Sequence, residues 1–162
     1  MIEQGQIKNG LIEMQDGIDA VQTHLLQSYY LTLLAQAYEK TNQLEEGLHI
    51  LAEALVHVQN NGERCYEAEI YRFKGQLLLQ QSANNQNEAE ICFRQAIAIV
   101  QSQSAKSWEL RAATSLAHLW SSQGKRQEAQ ALLGDVYGWF TEGFGTADLQ
   151  DARALLDDLA SS

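Results

Sequence analysis

The sequence predicts an all-α fold: a right-handed α–α superhelix of about eight helices paired into hairpins, with a C-terminal capping helix. Three observations carry this. Apolar residues recur at a period near 3.6 along most of the chain. Short polar breaks separate the periodic segments at regular intervals. The 162 residues include no proline, where an ordinary composition holds about 5%. Only Gly, Asn and Ser are therefore available to end a helix.

Each element follows from its own stripe. Tyr30, Leu31, Leu34, Ala35 and Tyr38 fall on one helical face. Leu48, Leu51, Ala52, Leu55 and Val58 do so in the next segment, and Ala89, Phe93, Ala96, Ile97 and Val100 in a later one. Leu110, Ala113, Leu116, Ala117 and Trp120 repeat the pattern. No β-branched run alternates strictly, so no strand is assigned. The breaks are Lys40 to Gln43, Asn60-Asn61-Gly62, Ser82 to Asn85, Gln101 to Ser104, and Ser121 to Gly124. Connections this short between amphipathic helices make helical hairpins. Near the end, Thr146 is placed to cap a helix with Asp148 in its first turn. Its stripe is Leu149, Ala152, Leu156 and Leu159, and it would cover the open end of the array.

The hairpins are copies of one another. Leu34-Ala35-x-x-Tyr38, Lys74-Gly75-x-x-Leu78 and Leu116-Ala117-x-x-Trp120 each place a small residue three before a large one. Their partner helices carry Gly47, Leu51 and Ala54, then Ala89, Phe93 and Ala96, then Ala129, Leu133 and Val136. Ala35, Gly75 and Ala117 are 40 and 42 residues apart. A small residue lets two helices approach while large ones fill the grooves between hairpins. This is the tetratricopeptide pattern, stretched beyond its usual repeat of about 34 residues. Those repeats usually close with a proline; without one, second helices can run longer. The expected units are a half repeat over 1–24 (second helix only), repeats over 25–61, 62–103 and 104–138, and an aromatic turn with the capping helix over 139–162. The chain opens in mid-repeat, with Gly10, Met14 and Gly17 matching a second helix; Met1 is expected to begin an excised piece of a longer protein, with an odd helix at the native start as the alternative.

The segments YYLTLLAQAYEKTNQLEEGLHILAEAL, YEAEIYRFKGQLLL and EAEICFRQAIAIVQSQSAKSWELRAATSLAHLWSSQGKRQEAQALL, with the ending VYGWFTEGFGTADLQDARALLDDL, resemble the tetratricopeptide tails of large bacterial signalling ATPases. ELRAA and YGWFTEGF are the most specific matches. Such proteins often carry adenylate or guanylate cyclase, kinase or transcription-regulator domains. The resemblance implies the C-terminal regulatory or scaffold part of such a signal-transduction protein. No phosphate loop of the form GxxxxGKS or GxxxxGKT occurs, so the ATPase would lie outside these residues.

Composition narrows the partners. Eleven basic and 21 acidic residues give a net charge of −10, which disfavours nucleic acid and anionic membrane surfaces. No apolar run reaches the roughly 18 residues of a membrane span. The first residues lack a signal peptide's basic and apolar regions. Cys65 and Cys92 form no disulfide framework, and a reducing cytoplasm is the plain reading. His24, His49, His57 and His118 lack the convergent spacing of a metal site. Cys92, beside Phe93, reads as a small buried hydrophobe. Glu45-Glu46, Glu67/Glu69, Glu128 and Asp157-Asp158 read as helix starts and solvated faces rather than as an acid/base pair. No catalytic residue, cofactor or metal ligand is expected, and the chain reads as non-enzymatic.

Binding is expected on the first helices of the hairpins. Their outward positions, by periodicity, are Tyr29, Thr32, Leu33, Gln36 and Lys40, then Glu69, Arg72, Phe73 and Gln76, then Arg111, Thr114, Ser115 and His118. Tyr29 and Phe73 would be aromatic anchors, and Arg72 and Arg111 cations within an acidic chain; packing of the two aromatics against neighbouring helices is the equal alternative. Such a face could take an acidic-aromatic peptide or helix. Only Arg111 suits a carboxylate clamp, which disfavours capture of a peptide's C-terminus. The leading reading is a protein-interaction scaffold binding a protein, a peptide or a sister domain. A homodimerising module is the alternative, and a small-effector sensor the weaker one.

Overall fold

A computed structural model describes residues 9–17, 26–62 and 64–161. These residues form eight α-helices and no strand. Helix α1 covers 9–17. It is followed by α2 (Gln27–Lys40), α3 (Leu44–Asn61), α4 (Glu67–Gln81), α5 (Gln86–Ser102), α6 (Lys106–Ser122), α7 (Arg126–Tyr137) and α8 (Ala147–Ala160). A single 3₁₀ turn, Ala83–Asn85, joins α4 to α5. The fold is an all-α helical-repeat superhelix. His24 and the first residues of the expected half repeat lie outside the described residues.

Three pairs, α2/α3, α4/α5 and α6/α7, make the most extensive contacts. The odd and even helices differ in their longer-range packing. Helices α2, α4, α6 and α8 touch in series, while α3, α5 and α7 form no comparable row. The closely packed even row is therefore the inner layer. Helix α8 packs on both α7 and α6, as α4 packs on α3 and α2. It takes the place of a further first helix and from there caps the last hairpin.

The turns repeat at atomic detail. The amides of Gln43, Ala105 and Lys125 donate to Tyr38, Val100 and Trp120 carbonyls at 2.9, 3.1 and 2.8 Å. One residue earlier, Asn42, Ser104 and Gly124 donate to Glu39, Gln101 and Ser121 carbonyls at 2.9, 3.2 and 3.1 Å. These paired bonds define the Schellman end, which needs a left-handed residue. Asn42, Ser104 and Gly124 supply it with φ of 58°, 56° and 79°. These turns dispense with proline because the left-handed residue ends the helix by itself. Helices α3 and α5 are long, at 18 and 17 residues, but α7 has only 12. The lengthening of second helices thus applies to the first two hairpins.

The small-residue positions do the packing expected of them. A Cβ on Gly75 would lie 2.6 Å from Phe93 Cε1, so α4 and α5 are as close as that glycine allows. Ala35, Ala117, Ala89, Ala96 and Ala129 are all buried. Two apolar clusters result. Leu11 of α1 joins Leu31, Leu34, Leu51 and Val58 in the first, while Phe93, Leu110, Leu116, Leu133 and Leu149 belong to the second. Helix α4 joins them, with Ile70 and Leu77 in one and Ala68 and Leu78 in the other.

Two details of α8 differ from expectation. Thr146 holds the N-cap position, with φ −72° and ψ 148°, but its side chain makes no capping bond. The buried stripe runs through Leu149, Ala152, Leu155 and Leu159, with Leu156 only partly covered. Ala152 and Leu155 stand three apart, the same small-then-large spacing as in the other inner helices.

Candidate functional site

The inner layer carries a groove of about 660 Å³ between α4, α6 and the start of α8. Arg72, Gln76, Leu79 and Gln80 line it from α4; Arg111, Thr114, Ser115, His118, Leu119 and Ser122 from α6; Asp148 and Asp151 from α8. Phe93 and Gln86 of α5, with Ala83, complete its lining. Of the residues expected on the binding face, Arg72, Gln76, Arg111, Thr114, Ser115 and His118 come together here. Tyr29, Thr32, Gln36, Lys40, Glu69 and Phe73 are not in its wall.

Three of the positions read as outward are buried. Thr32 Oγ1 donates to the Ser28 carbonyl at 2.7 Å within α2. Thr114 Oγ1 does the same to the Leu110 carbonyl at 2.8 Å within α6. A β-branched threonine can satisfy its hydroxyl on the preceding turn and so tolerate burial on a helix. Glu69 is buried because it is ion-paired, which also corrects its reading as a solvated carboxylate. The two aromatics pack: Tyr29 stacks on Tyr66 at 5.0 Å, and Tyr66 on Trp108 at 5.5 Å. Phe73 is partly buried against the first cluster with the Arg72 guanidinium over its ring at 4.5 Å. Lys40 is exposed at the end of α2, and Gln36 is half-buried.

The electrostatics of the groove come from three helices. Arg72 meets Glu69 with two parallel bonds, Nε to Oε1 and Nη2 to Oε2, each 2.9 Å. This is the bidentate geometry that gives Arg–carboxylate pairs their strength. Arg111 Nε donates to Asp148 Oδ2 at 2.7 Å, and its Nη1 lies 3.8 Å from Glu69 Oε2. The bond to Asp148 raises the Arg111 pKa, against the opposing effect of burial and with help from the charges of Asp148 and Glu69. Further along, His118 Nε2 stands 3.7 Å from Asp151 Oδ1, beyond hydrogen-bonding distance. A chain of charges thus runs Arg72, Glu69, Arg111, Asp148 from α4 through α6 to α8.

The fold is a tetratricopeptide-like helical repeat. Similar solved structures include BtubC (BKLC) from P. vanneervenii, with a TM-score of 0.75 at 16% identity over 98% of this chain and 73% of that one. Two crystal structures of a protein assigned to the kinesin light chains, with nearly identical TPR-like repeats, from Podosopora anserina, give TM-scores of 0.72 and 0.70 at 16% identity. They cover 97% of this chain in each case and 78% and 79% of the others. Neither a protein-family model nor a curated protein matches the chain.

The acidic side of the site was missed by periodicity alone. Periodicity places Asp148 in the first turn of a capping helix and does not single out Asp151. Ala152 and Leu155 were the available signal, since they mark α8 as one more inner helix and so bring its first turn beside Arg111. Among the described residues no group of His, Cys, Asp or Glu is arranged to hold a metal ion, and no helix is long and apolar enough to cross a membrane. Cys92 is buried, and burial pushes its thiol pKa up; Cys65 is exposed.

Proposed function

We propose that this chain is a non-catalytic protein-interaction module and that its docking surface is the groove between α4, α6 and α8. The observation that carries this reading is the convergence of Arg72, Gln76, Arg111, Ser115 and His118 from two repeats on one concavity. A concavity lined by polar side chains together with Leu79, Phe93 and Leu119 suits a peptide or helix laid into it. The resemblance to the tails of bacterial signalling ATPases supports a regulatory place within a larger cytoplasmic protein, with repeat units over 25–61, 62–103 and 104–138.

The reading is tested with a photo-crosslinking residue at Gln76, compared with the same residue at Ile91, which is exposed on α5 outside the groove. Cross-linked partners from Gln76 and not from Ile91 are expected. Equal capture at the two positions, or capture from Ile91 alone, would refute the groove as the docking surface. A second reading, self-association, is favoured by the exposed Trp139 and Phe144 beside the start of α8. Sedimentation of Trp139→Ser against the parent chain tests it, and a parent chain that stays monomeric at micromolar concentration removes it.

A further inference from the structure

We propose that the groove takes a basic amphipathic helix, with Lys or Arg side chains facing Asp148 and Asp151; this rests on the interaction reading above and names the partner's chemistry. The presence of two arginines in the lining suggests an acidic occupant, but the pairing argues otherwise. Arg72 gives the Nε/Nη2 edge of its fork to Glu69. Arg111 gives Nε to Asp148 and faces Glu69 with Nη1. Every arginine among the described residues is ion-paired within the chain. An acidic segment would meet guanidinium charges that a carboxylate already offsets, and so gains less than it would from an unpaired arginine.

The acids are placed differently. The Asp151 side chain is 62% exposed, and its nearest basic group is the His118 imidazole, outside hydrogen-bonding distance. Asp148 bonds Arg111 through Oδ2 only. The two aspartates are three apart on α8 and so share one face. With Glu69 behind them, three carboxylates stand against two guanidinium groups. Leu79, partly exposed, lines the same groove with the edges of the buried Phe93 and Leu119, and gives an apolar stripe a place to pack. At longer range the net charge of −10 attracts a cationic segment and repels an anionic one.

The test uses the whole chain and three labelled synthetic peptides that share one Leu/Ala stripe and carry Lys, Gln or Glu on the opposite face, with binding read by fluorescence anisotropy. The Lys peptide is expected to bind at least about tenfold more tightly than the Glu peptide, with a preference that shrinks as salt is added. Asp151→Asn is expected to weaken the Lys peptide by up to about fivefold, the scale of one exposed ion pair. Asp151→Lys should narrow the Lys-over-Glu preference further, which a merely structural role for Asp151 would not do. Gln76→Trp fills the groove and should remove binding; Ser115→Trp serves the same purpose if the first variant does not fold. A Glu peptide that binds as tightly as the Lys peptide, and is still blocked by Gln76→Trp, overturns the basic partner and leaves the groove reading standing. No binding by any of the peptides, or binding that neither Trp variant disturbs, overturns both.

Discussion

Gly75→Ala is the substitution whose outcome depends most directly on the packing described above. At an ordinary helix position it would stabilise the chain by about 1 kcal/mol, because alanine loses less backbone freedom than glycine. Here the new Cβ would lie 2.6 Å from Phe93 Cε1 and 3.0 Å from both Cδ1 and Cζ. Carbon atoms in contact normally sit about 3.5–4.0 Å apart, so the overlap is close to 1 Å. The ring cannot simply swing away, since Phe93 is only 1% exposed and lies within the larger core. Overpacking of this kind costs about 1–3 kcal/mol, which leaves a net loss of roughly 1 kcal/mol once the propensity gain is set against it. Urea unfolding of four chains measures this: the parent, Gly75→Ala, Phe93→Leu and the double variant. In the Phe93→Leu background the overlap is gone, so Gly75→Ala should become stabilising by up to about 1 kcal/mol. The interaction between the two changes should then be about 1–3 kcal/mol in the compensating direction. A Gly75→Ala chain more stable than the parent, or additive effects, would show that α4 and α5 are not held at glycine distance.

Two further outcomes are expected. At the Schellman turns, Ser104→Gly should stabilise the chain by roughly 0.5 kcal/mol, since it removes the left-handed strain of a non-glycine residue but adds unfolded-state freedom. Gly124→Ala at the equivalent turn, where φ is 79°, should destabilise by about 1 kcal/mol; both are read from midpoints of denaturant unfolding. The second concerns acid. Burial raises the Glu109 carboxyl pKa, but hydrogen bonds from Lys106 and Gln101 and the charge of Lys106 lower it more, so the net shift is downward. A folded pKa below the unfolded one means that Glu109 stabilises the chain above the ordinary glutamate value of about 4.3 and loses that contribution as pH falls through the folded pKa. Melting temperatures of the parent and Glu109→Gln should therefore differ at neutral pH and converge in acid, and a gap independent of pH would refute the shift.

Much of the helical architecture was legible because helix packing leaves a local trace. Ala35, Gly75 and Ala117 each precede a large residue by three positions, and each helix repeats its stripe within a few turns. The breaks were also local, since Asn42, Ser104 and Gly124 fall within the polar segments that mark them. What escaped was the inner position of α8. Its small-then-large signature, Ala152 and Leu155, lies only 35 residues after Ala117, a shorter step than the 40 and 42 that precede it. Reading the spacing as uniform hid the last member of the row.

The site was less legible than the fold for a reason that follows from range. Arg72 and Glu69 are three residues apart, and their pairing could be read along one helix. Arg111 and Asp148 are 37 residues apart and Arg111 and Glu69 are 42 apart, so whether either cation is free depends on how the repeats stack. Periodicity places a side chain on a face of its own helix and does not say which groups of another helix meet it there. The same composition, two arginines and two aspartates near one face, is compatible with an acidic partner if the arginines are free and with a basic one if they are held. The stacking of α8 against α6 decides between these, because it brings Asp148 to Arg111 and leaves Asp151 facing outward beside His118. In a repeat array of this kind the charge presented to a partner is set by the contacts between repeats, and in the row α4–α6–α8 it is Asp151, at 62% exposure, that stands further out than Arg111 at 42% or Arg72 at 13%.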